Sequence, residues 1–367
     1  MKLRDYQWDA VQSVFDYYES GKTGNPIVVA ATGAGKSVII GALIQRVMQQ
    51  YVGQRVLMVT HVKELIEQNF QKLVSFWPDA PVGIYSAGIG KKQPWAEIVC
   101  GGVQSMYKQA VKLGHRDLMF VDEAHLLSPQ QSGMYMKLIN ELKEINPSLK
   151  VIGYSATPWR LKGGSLLNQE NAIFTDIIYE IGIKDLVDRK YLAPLVSKSS
   201  VIQADMTGVK MTAGEFNLKQ AEAAVDNNEL TEAALDEIEK LAKNRKNFLF
   251  FCAGIQHAEH VKAALNKRMG WIADVITCDT PKDERARLLN QFRDARPSSI
   301  TKRALVNNAV LTTGVDLPNI DCIVLLRATA SSVLYIQMLG RGMRLHPAKE
   351  NCLALDRDWE TRQCNLY

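Results

Sequence analysis

The hexapeptide Thr32-Gly33-Ala34-Gly35-Lys36-Ser37 has the residue types and spacing to hold a polyphosphate. Its two glycines let the backbone turn tightly enough for consecutive N–H groups to converge on one anion, and a following helix would add the positive end of its dipole. The Lys36 ammonium would then serve the β- and γ-phosphates, and the Ser37 hydroxyl would ligate Mg2+. Ala30 stands where the general phosphate-loop pattern has its first glycine. Asp122-Glu123-Ala124-His125 follows the apolar run Leu118 to Val121, which places two carboxylates at a strand end. Asp122 is expected to hold Mg2+ through water and Glu123 to orient or deprotonate an attacking water. Gln337, Gly340, Arg341 and Arg344 fall at helical spacing, predicting one stripe on which two guanidiniums face the same way. Gly340 and Gly342 would each cost such a helix about 1 kcal/mol against alanine, so they are expected to mark close approach to a bound nucleotide. An arginine reaching a transferred phosphate neutralises charge in the transition state, an effect on the order of 10³–10⁵ in rate.

These groups need rigid elements behind them. Pro26 to Ala31, Arg55 to Thr60, Glu97 to Cys100, Leu118 to Val121 and Lys150 to Tyr154 are short apolar runs separated by segments of helical periodicity. That texture predicts parallel strands buried on both faces in a doubly wound α/β sheet. The pattern begins again with Asn247 to Phe251, Ala273 to Thr277, Arg303 to Asn307, Cys322 to Leu326 and Cys352 to Leu355. Two domains are therefore expected, 1–183 and 184–367, with the alanine- and glutamate-rich interval 198–244 as helical decoration of the second.

Composition agrees with a folded chain: of 367 residues, 47% are hydrophobic and 23% charged, which excludes disordered and fibrous classes. A net charge of +5 is compatible with a polyanionic partner without requiring one. No apolar run reaches the roughly 20 residues needed to cross a bilayer, and the N-terminus has no apolar signal core, so a cytoplasmic protein without membrane contact is expected. The six cysteines (Cys100, Cys252, Cys278, Cys322, Cys352 and Cys364) form no C-x-x-C pair and predict reduced core thiols rather than structural zinc.

In order, Leu3 to Gln7 (L-R-D-Y-Q), A-T-G-A-G-K-S, D-E-A-H, Ser155 to Pro158 (S-A-T-P) and Q-M-L-G-R-G-M-R resemble the motifs of a superfamily 2 helicase over nearly the whole chain. Thr60 to Leu65 (T-H-V-K-E-L), Gly101 to Ser105 (G-G-V-Q-S), S-A-T-P-W-R and Leu311 to Asp316 (L-T-T-G-V-D) look most like the RadD group of DNA repair ATPases and related phage helicases. RadD-like proteins usually continue into a further cysteine-containing region. The resemblance implies two tandem RecA-like domains with ATP and Mg2+ in a cleft between them. Arg4 and Gln7 would read adenine, and Thr32 to Ser37 would bind the phosphates. Gly314 and Asp316 would touch the nucleotide from the second domain. His125 and Gln337 would join the catalytic set, with Arg341 and Arg344 as arginine fingers and Ser155 and Thr157 coupling the two sites. The nucleic-acid track would use His61, Val62, Lys63, Gln104, Ser105, Arg160, Thr312 and Thr313, mostly against backbone phosphates. From the residues alone, Thr60 and His61 could equally cap a helix and Gln104-Ser105 could close a turn.

The expected activity is that of a monomeric ATP-dependent translocase or helicase, with DNA favoured and repair or replication proteins as possible partners. An ATP-switched nucleic-acid clamp without strand separation uses the same motifs, as does an RNA helicase. A small-molecule kinase fits less well, because the sheet is duplicated and no acceptor pocket is recognisable.

Overall fold

The computed structural model describes residues 3–61, 63–124, 129–159, 165–167, 172–200, 202, 206–212, 215–294, 300–312 and 316–356, with backbone alone at 63–64, 129–132, 199, 212 and 215. Val62, His125, Arg160, Thr313 and Gly314 lie outside the described residues, as does the Lys63 side chain. The chain forms two compact units, Met1–Gly182 and Ile183–Tyr367.

The first unit is built on an eight-stranded sheet whose spatial order is Lys91–Lys92, Val82–Ser86, Ile98–Gly102, Val56–Thr60, Leu118–Val121, Lys150–Ser155, Pro26–Ala30 and Asp176–Ile181. All pairings are parallel except the edge pairing of Lys91–Lys92 with Val82–Ser86. The central strands are buried along their whole length, as their unbroken apolar runs require when helices cover both faces. Parallel neighbours need crossovers, and the helices Lys36–Gln50, Lys63–Phe76 and Pro129–Ile145 supply them. Gly41 lies so close to the Phe76 ring that a side chain there would overlap it, which fixes the first two of these helices against each other.

The second unit has a six-stranded, all-parallel sheet in the order Trp271–Ile276, Lys302–Asn307, Asn247–Cys252, Cys322–Leu326, Cys352–Asp356 and Leu195–Ser199. Phe248, Phe250, Val306 and Val324 pack into its core on one face, and Leu249, Phe251, Leu305 and Leu325 on the other. The interval 198–244 is not wholly helical. Lys198 and Ser199 complete an edge strand, and a two-stranded hairpin (Met211–Thr212 with Glu215–Phe216) precedes the helices Leu218–Val225 and Asn228–Leu241. Of the described cysteines, Cys100, Cys252, Cys322 and Cys352 are buried free thiols, whereas Cys278 is exposed and so is not a core residue. Among the described residues, no helix is long and apolar enough to cross a membrane.

Candidate functional site

In the first sheet the strands ending at Ala30, Val121 and Ser155 are adjacent and parallel, so their carboxyl ends open onto one edge. Gly33 (φ 91°) and Gly35 (φ 81°) take the left-handed conformation that lets the segment after Ala30 turn back before the Lys36–Gln50 helix starts. Gly35 is the helix N-cap, and no side chain caps the helix there, leaving its first N–H groups directed along the loop. The N-terminal motif secures the loop from below. Tyr6 Oη donates to Ala34 O at 2.8 Å and Gln7 Nε2 donates to the same carbonyl at 3.1 Å, while Gln7 Oε1 accepts from Arg4 N at 3.1 Å. Both ends of the buried Gln7 amide are thus engaged with backbone, giving this residue a loop-bracing role. Tyr6, for which the motif predicts no function, shares that role.

Lys36 Nζ lies 3.5 Å from Glu123 Oε1, joining the loop to the acidic pair. Glu123 itself adopts φ 51°, unusual for a residue with a side chain, and its N–H donates to Asp122 Oδ1 at 2.9 Å. The other Asp122 oxygen accepts from Asn69 Nδ2 at 2.8 Å. Burial pushes the Asp122 carboxyl above the usual carboxylate range and nearby Glu123 pushes it further, while the Asn69 hydrogen bond and Lys36 oppose them. A buried carboxylate of this kind, beside a lysine and a helix N-terminus, fits a divalent cation that arrives with phosphates, with Asp122 and Ser37 as its protein donors. Among the described residues no cluster of three or more His, Cys, Asp or Glu could hold a metal by itself.

Farther along the same edge come the strands ending at Thr60 and Gly102. Gln104 is exposed and its Nε2 donates to His61 O at 3.2 Å; Ser105, in the short helix Val103–Met106 rather than a turn, accepts through Oγ from Ala87 N at 3.0 Å. Burial lowers the pKa of His61, partly offset by Glu123 and Asp122, so this ring belongs to the neighbourhood of the acidic pair. Ser155 and Thr157 are buried: Ser155 Oγ donates to Thr157 O at 2.6 Å and Thr157 Oγ1 to Trp159 O at 3.0 Å. Their hydroxyls stiffen the segment that follows the strand next to the loop strand.

The arginine segment differs from its expected form. The helix is Ser332–Leu339, Gly340 is its C-cap, and Arg341 to Arg344 lie in the turn beyond it, so the four residues do not share a helical stripe. Apolar packing decides this: Gly342 lies against Cys352 Sγ and Ile323 of the second sheet, where a Cβ would overlap the sulfur. Its small size therefore serves a contact within the unit rather than with a nucleotide. Arg341 and Gln337 are buried, and Arg344 Nη1 pairs with Asp316 Oδ1 at 2.9 Å. Lys349 Nζ, which no motif singled out, donates to Gly342 O at 2.8 Å and Ile320 O at 2.6 Å, pinning the turn. Thr312 is buried and its hydroxyl donates to Ala309 O at 2.7 Å.

A glycine loop with its lysine beside a strand-end carboxylate pair, on one of two α/β sheets of mainly parallel strands, defines a phosphate-loop protein of tandem RecA-like architecture. Residues 1–160 match the family described as "Type III restriction enzyme, res subunit", and residues 229–346 match "Helicase conserved C-terminal domain". A Saccharomyces cerevisiae protein whose name, IRC3, is given as an ATP-dependent helicase is 32% identical over 96% of this chain and 51% of its own length. The DNA 3'-5' translocase XPB2 of Sulfurisphaera tokodaii is 26% identical over 94% of this chain and 79% of its own. The solved structure of the restriction-modification enzyme LlaBIII bound to DNA superposes with a TM-score of 0.73 at 15% identity, covering 97% of this chain and 27% of that one. The chain belongs to the superfamily 2 helicases, a family of ATP-dependent enzymes. It spans about half the length of the yeast relative.

Proposed function

We propose that this chain is the motor of a nucleic-acid translocase that hydrolyses ATP with Mg2+ and acts on DNA. The observation that carries the reading is the 3.5 Å contact of Lys36 with Glu123, beside a buried Asp122 whose two oxygens are both held. Bound Mg2+, held by Ser37 and Asp122, would neutralise charge on the terminal phosphates. Lys36 then grips the triphosphate, and Glu123, released from Lys36 by the incoming phosphate, orients the attacking water. Arg341 and Arg344 of the second unit act as fingers on the terminal phosphate, with Asp316 holding Arg344 in the meantime. The DNA track is His61, Lys63, Gln104 and Ser105, and Ser155 and Thr157 transmit its occupancy to the phosphate site.

DNA is favoured over RNA by the S-A-T-P-W-R likeness and by the relative named as a DNA translocase. The motifs T-H-V-K-E-L, G-G-V-Q-S, S-A-T-P-W-R and L-T-T-G-V-D support the RadD group, and Asp122-Glu123-Ala124-His125 supports the DEAH subtype. Buried free thiols support the cytoplasm as the working compartment. Lys36→Ala is expected to leave the fold intact and remove ATP hydrolysis; turnover near the parent rate would refute the phosphate site. Turnover measured with single-stranded, duplex and branched DNA and with RNA tests the substrate, and RNA stimulation exceeding that of every DNA would overturn the DNA assignment.

A further inference from the structure

The helix Lys63–Phe76 buries Leu65, Ile66, Asn69 and Leu73. Three of these are apolar and need no partner. Asn69 is 5% exposed, and a buried amide on an apolar face is costly unless both its polar ends are used. Its donor end meets Asp122 Oδ2 at 2.8 Å. Because Asp122 Oδ1 is already held by the Glu123 N–H, these two bonds together fix the plane of the carboxylate and determine which lone pairs remain for a cation.

The same helix packs on the helix that follows the phosphate loop and begins beside the proposed track. Its last residue, Phe76, lies against Gly41 of the helix that begins with Lys36. Its first turn begins two residues after His61, whose carbonyl accepts from Gln104 Nε2 at 3.2 Å. The His61 segment, bonded to Gln104, thus immediately precedes a helix whose buried amide holds Asp122.

We infer that Asn69 is a positioning residue that orients Asp122 toward Mg2+ and links that orientation to the nucleic-acid track, an inference that rests on the phosphate-site reading above. An amide suits the task better than a charged group. It donates to the carboxylate without competing for the cation, whereas Asp at this position would set two carboxylates face to face.

The test uses Asn69→Leu, which keeps the shape without the donor. Leu73→Ala, one turn on and 1% exposed, serves as the control because it loosens the same helix without touching Asp122. Binding of a fluorescent ATP analogue is titrated against Mg2+ and repeated in EDTA, with DNA-stimulated turnover measured alongside. In Asn69→Leu the half-saturating Mg2+ concentration should rise about tenfold or more, consistent with loss of a hydrogen bond to a charged group, while binding in EDTA is unchanged. Stimulation by DNA should fall by a similar factor, and Leu73→Ala should lower the melting temperature with neither effect. Asn69→Leu with parental Mg2+ dependence, or Leu73→Ala with the same Mg2+ shift, would overturn the inference while leaving the phosphate site standing. Parent protein whose nucleotide binding ignores Mg2+ would overturn both.

Discussion

At the amino edge of the first sheet Arg116 is fully buried, and its guanidinium donates to the carbonyls of Leu113 (3.1 Å), Val56 (3.4 Å), Ala96 (3.0 Å), Glu97 (3.2 Å) and Pro94. Burial pushes this arginine down to about 10, with Arg55 adding to the effect and Asp117 opposing it. The cation survives there because five carbonyl oxygens replace its water, which is what a buried charge requires. Arg116→Met would keep the apolar stem and strand those carbonyls together. It should destabilise the protein by on the order of 3 kcal/mol in urea denaturation. The phosphate loop lies at the opposite edge of the sheet, so nucleotide affinity of the folded fraction should be unchanged; a loss of affinity at full folding would show that Arg116 shapes the site. Asp122 is the contrasting case, a buried carboxylate held by two donors on an edge that faces phosphate, where a raised pKa is the cost of a position suited to a cation. The sequence exposed Asp122 because an apolar strand ran straight into it. It gave no comparable sign of Arg116, whose partners are backbone atoms of nearby Leu113 and of two distant segments.

Elements were readable where burial is complete and hidden where it is partial. The strands Pro26–Ala30, Val56–Thr60, Leu118–Val121 and Cys322–Leu326 are buried throughout, so they stand out as unbroken apolar runs. Asp176–Ile181 and Leu195–Ser199 are edge strands carrying Asp, Glu, Lys and Ser, and neither shows such a run. Helical spacing carried too far at Gln337 to Arg344, because the apolar stripe ends at Leu339 while the arginines repeat beyond it. What shapes that turn is tertiary: Gly342 against Cys352, and Lys349 bonded to the carbonyls of Gly342 and Ile320. Burial lowers the Lys349 pKa to about 8, with Arg344 and Arg245 adding to the effect and Cys352 and Asp321 opposing it. A lysine whose folded pKa lies below its unfolded value is disfavoured as a cation, so its cost is constant below pH 8 and is relieved as pH rises from there toward 10.5. The parent should therefore gain stability relative to Lys349→Met over that interval, by up to about 1.4 kcal/mol per pH unit. Denaturation of both proteins at pH 8 and pH 10 measures the difference, since groups common to the two cancel. Parallel pH dependences would mean that Lys349 titrates normally. The same variant frees the Gly342 carbonyl, so its turnover should fall even at neutral pH if the turn must be held for the arginines to work.

For the whole molecule, two units of like architecture and unlike equipment imply division of labour: the glycine loop and acidic pair belong to one, and the arginine turn with its Asp316 and Lys349 supports belongs to the other. If the second unit's arginines act on a triphosphate held by the first, nucleotide and nucleic acid must each favour the same conformational state, and the coupling between them is a single free energy seen from two sides. A non-hydrolysable ATP analogue should then change the affinity for fluorescently labelled single-stranded DNA by some factor, typically about 5–150 in coupled systems, and DNA should change the affinity for the analogue by that same factor. Arg341→Ala should draw both factors toward one together while leaving binding of each ligand alone within about twofold. Anisotropy of the labelled strand, with and without the analogue, and the reciprocal titration measure the two sides in parent and variant. Undiminished coupling in Arg341→Ala would remove that residue from the link and shift the test to Arg344. Because the two factors are one free energy they must fall together in any variant, so loss of coupling while each ligand alone keeps its parental affinity is the result that would identify the arginine turn as the means by which the second unit registers the nucleotide.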